Sequence, residues 1–297
     1  TLAIHHIDVG QADATLVVTP SNETVLIDTG GWQDDGKTVI DYLDAHGIER
    51  IDHLVATHAH ADHIGGHAAV IGYFEEERDG VGAAYDSGVD HTSATYQNYL
   101  DAVEEYDVSL FTVKEGDNLP LDDANVTATV LNPPEGDTGS DLHRNSVVLA
   151  LEYGGFQYLT TGDAETEVER RLRDDWPDKL DADVYQAGHH GSSTSSSEAF
   201  VAAVSPGMAV ISSDFDSEYG HPHDETLRRF ADSGVTTYWT GAHGDVVVAT
   251  DGTNISVTTE ATAPTDPLEL LDVKPTGETA SRLRVPGELL PRHAIQK

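Results

Sequence analysis

Apolar residues along this chain follow two rhythms. Short apolar runs bounded by Gly, Pro, Asn and Asp read as strands. They lie over 2–9, 14–19, 23–28, 51–56, 81–85, 109–113, 125–131, 147–152, 156–161, 182–187, 208–212, 236–240, 245–249 and 256–259. Apolar residues spaced three or four apart read as helices over 37–46, 64–74, 91–106, 165–172, 198–201 and 225–231. In the first of these, Val39, Ile40 and Leu43 form the apolar side and Gly47 is the stop. Gly154-Gly155 turns one strand back on the next. After Thr259 the pattern changes: 261–278 is rich in Pro, Thr and acid, and Arg282, Arg284, Arg292 and Lys297 make the end basic. Residues 1–260 therefore read as one α/β domain. Residues 261–297 read as a linker and C-terminal tail, packed back on it or entering a neighbouring domain.

The chemistry gathers where strands end. The strand 51–56 runs into Thr57-His58-Ala59-His60-Ala61-Asp62-His63-Ile64-Gly65-Gly66-His67, which leads into the helix over 64–74. Ligand types fall at four of six consecutive positions on a strand-to-helix loop, where open α/β sheets commonly hold their sites. Imidazoles with a carboxylate suit a borderline ion: zinc first, with manganese or iron also accommodated. His67, four residues after His63, is placed to support His63 or Asp62 from behind. Other polar corners follow. The Pro- and Gly-rich loop 132–141 delivers His143 and Asn145. The strand over 156–161 ends at Asp163, and the strand over 182–187 delivers His189 and His190. Ser192 to Ser197 offers hydroxyls and amides before a helix, as a phosphate cradle would.

Thr57 to Gly66 resembles the first metal motif of the metallo-β-lactamase superfamily. Asn145-Ser146, Leu159-Thr160-Thr161-Gly162-Asp163-Ala164-Glu165, Gly188-His189-His190-Gly191-Ser192 and Tyr219-Gly220-His221-Pro222-His223 narrow the resemblance to the branch formed by the hydrolase domain of the DNA-uptake protein ComEC. It covers roughly residues 1 to 259. It implies an αββα sandwich of two similar halves, a hydrolase domain over 1–260, and a site near the Asp8–Asp13 turn. The family contains nucleases, suspected nucleases and a phosphocholine esterase, so the resemblance leaves the substrate open.

From the residues, one ion takes His58 and His60, and a second takes Asp62 and His63. Asp163 is the natural bridge, because two ions about 3.5–4 Å apart need a shared anion. By the resemblance, His189 completes the second ion, and His190 turns toward substrate or supports the site. His143 stands where the branch usually has asparagine; it is either a third histidine for the first ion or a substrate contact. A bridging hydroxide is the expected nucleophile. His221 or His223 donates a proton to the leaving oxygen, and Asn145 and Ser192 contact phosphate oxygens.

Charge then bears on the substrate. Fifty-three acidic and 16 basic residues leave a formal net charge of −37. Such a chain repels itself and nucleic acid unless salt screens both, with a Debye length of about 3 Å at 1 M. Acids spread along patterned segments fit a protein of a high-salt environment, extracellular or cytoplasmic, rather than a disordered tail. There is no cysteine, which excludes thiolate ligands, disulfides and a thiol nucleophile. No apolar run approaches the roughly 20 residues of a membrane span. The chain starts at Thr1, as after removal of a leader or trimming, and lacks a channel-like segment, so by itself it is not expected to import DNA. The leading expectation is phosphodiester hydrolysis with DNA as substrate and two divalent ions as cofactors. The alternatives are hydrolysis of a small phosphoester or lactam, and a metal-stabilised binding module without turnover.

Overall fold

Strand alternation sorts side chains between layers. In one strand Val25 and Ile27 enter a core shared by two sheets, while Leu26 between them joins a core under helices. In another, Phe156 and Tyr158 face the shared core and Leu159 a third core on the far side. A period of two with both faces apolar requires cover on both faces, and helices supply it.

The computed structural model describes residues 1–136 and 138–275; the basic residues Arg282, Arg284, Arg292 and Lys297 lie outside them. The strands are β1 Leu2–His6, β2 Thr15–Val18, β3 Thr24–Ile27, β4 Ile51–Val55, β5 Val81–Asp86, β6 Ser109–Thr112, β7 Val126–Asn132, β8 Val148–Tyr153, β9 Phe156–Thr160, β10 Val184–Gln186, β11 Met208–Ile211, β12 Thr236–Trp239, β13 Val246–Thr250 and β14 Ile255–Thr259. Among the described residues they form an eight-stranded sheet, β14-β13-β1-β2-β3-β4-β5-β6, and a six-stranded sheet, β12-β11-β10-β9-β8-β7. Both sheets are mixed, antiparallel at one side and parallel at the other. Helices Lys37–Ala45, His67–Glu77 and Ala94–Glu105 pack residues such as Leu43, Phe74 and Tyr99 into the core of the larger sheet. Helices Thr166–Asp175, Glu198–Val204 and Asp224–Asp232 cover the smaller sheet through Leu172, Phe200 and Phe230. The architecture is the expected αββα sandwich.

Three details refine the expected elements. The helix read over 64–74 is two, Ala61–Ile64 and His67–Glu77, separated by Gly65-Gly66. Gly65 lies so close to another segment that a Cβ there would sit 2.2 Å from Gly31 C and Trp32 N. The single-turn helices Pro177–Leu180 and Thr240–His243 are too short to show a period. Beyond Thr259, Asp266 caps a helix over Pro267–Val273, which buries Leu270 in the smaller sheet's core; Lys274 Nζ then lies 2.8 Å from Asp224 Oδ1.

Candidate metal centre

The loops after β4, β9, β10 and β11 and the loop before β8 converge, so both sheets contribute. Asp163, placed by β9 and 2% exposed, is shared by two groups of side chains. In the first, donor atoms of His58, His60, His143 and Asp163 lie within 4.8 Å of one another. His58 Nε2 is 2.9 Å from His60 Nδ1 and 3.5 Å from Asp163 Oδ2. In the second, His63, Asp163, His190 and Asp13 meet the same limit. His63 Nε2 is 3.2 Å and His190 Nε2 3.8 Å from Asp163 Oδ1. His190 Nε2 is also 3.2 Å from Asp62 Oδ2. Asp13 approaches from behind, 3.7 Å from His190 Nδ1, with its other oxygen held by Gln186 Nε2. Asp163 thus turns one oxygen to each group.

The fold assigns the protons of these imidazoles. Asp28 Oδ1 accepts from Thr57 N at 2.8 Å, and Oδ2 accepts from Thr57 Oγ1 at 2.6 Å and from His63 Nδ1 at 2.7 Å. With its own proton given to Asp28, Thr57 Oγ1 can accept from His58 Nδ1 at 3.1 Å. His190 Nδ1 donates to Ser212 O at 3.0 Å. Three imidazoles therefore spend Nδ1 on an acceptor and turn Nε2 inward, the atom a metal would bind on displacing any proton there. His63 Nε2 and Asp163 Oδ1 are buried without a hydrogen-bond partner. Leaving such atoms unsatisfied costs about 1–3 kcal/mol each, and a cation between them would satisfy both. The donor set fits a divalent ion.

Electrostatics agrees. Burial alone would raise the Asp163 carboxyl; the His63, His190 and His58 imidazoles more than offset it and hold it well below its usual range. Burial opposes charge on His190, yet Asp163, the bond to Asp62 and Asp13 raise it to about 9. Carboxylates outweigh desolvation at His63 and His190, whereas burial lowers His58 and His189 and takes His60 to about 4; the second group favours positive charge and the first keeps neutral imidazoles. Two successive residues, His189 and His190, adopt left-handed φ of 50° and 56°. That conformation costs roughly 1–2 kcal/mol per residue; it aims both rings at the centre from one strand end.

Several side chains lie elsewhere than expected. His190, expected to turn toward substrate or to support the site, faces Asp62 and Asp163. His189, expected on the second ion, lies on the outer side: Nε2 is 3.7 Å from Asp163 Oδ2 and Nδ1 3.3 Å from Glu165 Oε1. It forms a third group with His143 and Glu165. Asn145, expected to touch phosphate, is fully buried; its amide donates to Gly139 O and Asp141 O and accepts from Thr138, bracing the loop that presents His143. The Ser192–Ser197 loop is not an open cradle. Ser192 bonds Thr194, Ser195 Oγ donates to Ala164 O, and Glu169 Oε2 already accepts from Ser197 N. A carboxylate therefore already occupies the amide at that helix start. His223 has both nitrogens engaged, Nδ1 accepting from Ser193 N and Nε2 donating to Tyr219 O. His67 pairs with Thr29 Oγ1 at 2.7 Å rather than with His63 or Asp62. His221 stays near the centre, its ring 5.9 Å from that of His189, and Gln11 Nε2 donates to its Nδ1 at 3.1 Å. Burial, then the neighbouring imidazoles of His190, His223 and His189, lowers His221 to about 3, so its ring is neutral.

Sequence reasoning missed the roles of Asp28, Asp13 and Glu165. Asp28 did carry a signal: it heads Asp-Thr-Gly-Gly at a strand end, and it holds a left-handed φ of 57°. Asp13 and Glu165 stand inside segments already singled out, but no spacing of their own marks them as partners of the site histidines.

The profile of the metallo-β-lactamase superfamily matches residues 7–213. ComE operon protein 3 of Bacillus subtilis is 32% identical over 256 residues, covering 81% of this chain and 32% of that protein. Competence protein ComA of Neisseria gonorrhoeae is 32% identical over 237 residues, covering 80% of this chain and 30% of its own length. The chain thus spans about a third of the length of these relatives. The crystal structure of the metallo-β-lactamase fold protein YhfI from Bacillus subtilis superposes with a TM-score of 0.53 at 12% identity, over 82% of this chain and 98% of that one. Among the described residues, no helix is long and apolar enough to cross a membrane.

Proposed function

The chain belongs to the metallo-β-lactamase superfamily, and from that premise we propose that it is a dimetal phosphodiesterase whose substrate is DNA. The observation that carries this reading is Asp163, which offers Oδ2 to the His58, His60 and His143 group and Oδ1 to the His63 and His190 group. One ion would be held by His58, His60, His143 and Asp163, the other by Asp62, His63, His190 and Asp163. Zinc suits this set, and manganese is the second choice. When bound, the ions supply a water of lowered pKa and positive charge against phosphate oxygens.

The chain's own residues do the rest. Asp28 and Ser212 O keep His63 and His190 in the ligating tautomer. Gln11 donates to His221 Nδ1, so the neutral ring's proton resides on Nε2, where it can donate a hydrogen bond to the leaving oxygen. His189, 21% exposed at the side chain, is placed to meet a phosphate oxygen over the first group. DNA as substrate is supported by relatedness to competence proteins. The net charge of −37 opposes a polyanion, so the enzyme belongs in high salt, where that repulsion is screened.

One feature favours a second reading. Beside Gln11, a cavity of about 460 Å³ is walled by Asp34, Asp214, Asp216 and Glu218. Such a cavity suits a cationic leaving group, as in a phosphocholine ester. The test is a substrate panel in molar salt with added zinc or manganese: linear and circular DNA, bis-nitrophenyl phosphate, nitrophenyl phosphocholine and a chromogenic β-lactam. Metal-dependent cleavage of DNA with about two ions per chain is expected. Cleavage of the choline ester or lactam without any of DNA overturns the nuclease reading.

A further inference from the structure

The active centre has a neighbour that the chemistry above leaves unused. A cavity of about 360 Å³ is lined by Trp32, Ala61, Gly65, Ala68, Thr95 and Asn98, among others. Its lining is alanine and glycine, with one indole, the Asp35 carboxylate and the polar Thr95 and Asn98. Trp32 is 63% exposed, although burial of an indole is worth about 2–3 kcal/mol. Ala61 stands between His60 and Asp62, so the lining begins one peptide away from two proposed ligands.

Trp32 is also held firmly against the ligand-bearing helix. Thr29 N donates to His63 O at 2.7 Å and Gly65 N to Gly30 O at 3.0 Å. Gly65 has no room for a Cβ against Gly31 and Trp32. The backbone that carries the indole therefore keeps its position relative to His60, Asp62 and His63.

We propose that this cavity binds a nucleobase of a single-stranded substrate, stacked on Trp32, next to the phosphodiester held at the metal centre. The proposal rests on the phosphodiesterase reading. Stacking is the appropriate force here. An aromatic platform gives about 1–3 kcal/mol per base and tolerates any sequence. Cationic phosphate contacts weaken steeply with salt, and this acidic chain has few cations to offer. Thr95 and Asn98 in the lining supply hydroxyl and amide groups for a base edge. A base in an intact duplex is already stacked and paired, so the cavity selects single strands.

The experiment titrates the metal-loaded chain in molar salt with a short oligodeoxyadenylate, and with one carrying abasic sites, while tryptophan fluorescence is followed. Of the other two tryptophans, Trp239 is fully buried and Trp176 half-buried, so loss of the signal in Trp32→Ala is what assigns it to Trp32. Quenching by the oligodeoxyadenylate, absent with the abasic strand and lost in Trp32→Ala, is expected. Trp32→Ala should raise KM for single strands by about 5- to 150-fold, the kinetic equivalent of 1–3 kcal/mol. It should leave kcat on bis-nitrophenyl phosphate unchanged, and Trp32→Phe should restore most of the binding. Equal KM for wild type and Trp32→Ala, or equal binding of abasic and normal strands, overturns the base pocket while leaving the phosphodiesterase reading intact. Absence of turnover on every diester overturns that reading; the fluorescence titration still decides the pocket. Quenching by choline but not by the oligonucleotide refutes a nucleobase as occupant.

Discussion

Replacing Asp28 by Asn should remove an ion that Asp28 never touches. Its carboxylate accepts from Thr57 N on Oδ1, and from Thr57 Oγ1 and His63 Nδ1 on Oδ2. Asparagine has one acceptor oxygen and one donor amide in the same space. If the oxygen faces His63, the amide meets Thr57 N–H, which cannot give up its proton. If the amide faces His63, the imidazole can adapt by moving its proton to Nε2. The second arrangement is the cheaper, and it blocks the ligand atom. Loss of such an orienting partner lowers metal affinity about 10- to 100-fold, or roughly 1.4–2.8 kcal/mol. Asp28→Asn should therefore keep one tight ion and lose the second in competition with a chromophoric zinc chelator. Circular dichroism and a urea transition on the metal-free protein should establish that it remains folded. Two ions retained at wild-type affinity in a folded variant would refute the tautomer argument.

Other outcomes follow from the same geometry. His143→Ala should lower zinc content from about two to about one per chain by elemental analysis, since it removes one of three imidazoles from the first group. Gly65→Ala should destabilise the chain by about 1–3 kcal/mol or more by urea midpoint, because the new Cβ meets fixed backbone at 2.2 Å. His6 is fully buried, and burial followed by the charge of His5 lowers it to about 3. The unfolded chain then binds a proton below pH 6.5 that the folded chain refuses, so stability should fall as pH drops from 6.5 toward 3. At about 1.4 kcal/mol per unit, this amounts to roughly 3–5 kcal/mol. His6→Phe should flatten that slope in urea titrations at several pH values, and an unchanged slope would count against it.

The layer architecture was legible because apolar runs and helical spacing are local. The ligand loop His58 to His63 was legible because strand, loop and helix are consecutive. Pairing between distant loops was not. His189 and His190 are adjacent and chemically identical, and their roles depend on two left-handed backbone turns that no pattern announces. Ser192 and Asn145 looked available because the sequence does not display their bonds to Thr194 and to the loop 138–141. Gly65-Gly66 was read inside a helix, since the approach of Gly31 and Trp32 comes from a part of the chain remote in sequence.

Each histidine group draws on both sheets. His58 and His60 follow β4 in the larger one, and Asp163 follows β9 in the smaller; His63 and His190 are divided in the same way. An ion bound to either group is therefore a clasp across the sandwich as well as a reagent. By mass action, a ligand at a hundred times its Kd stabilises the folded form by about 2.7 kcal/mol. In a chain with a formal charge of −37, that clasp also works against the overall self-repulsion. Metal starvation would then reach further than lost turnover: the halves would part more readily, most of all in dilute salt, and the supply of divalent ions would set how long the chain survives proteolysis.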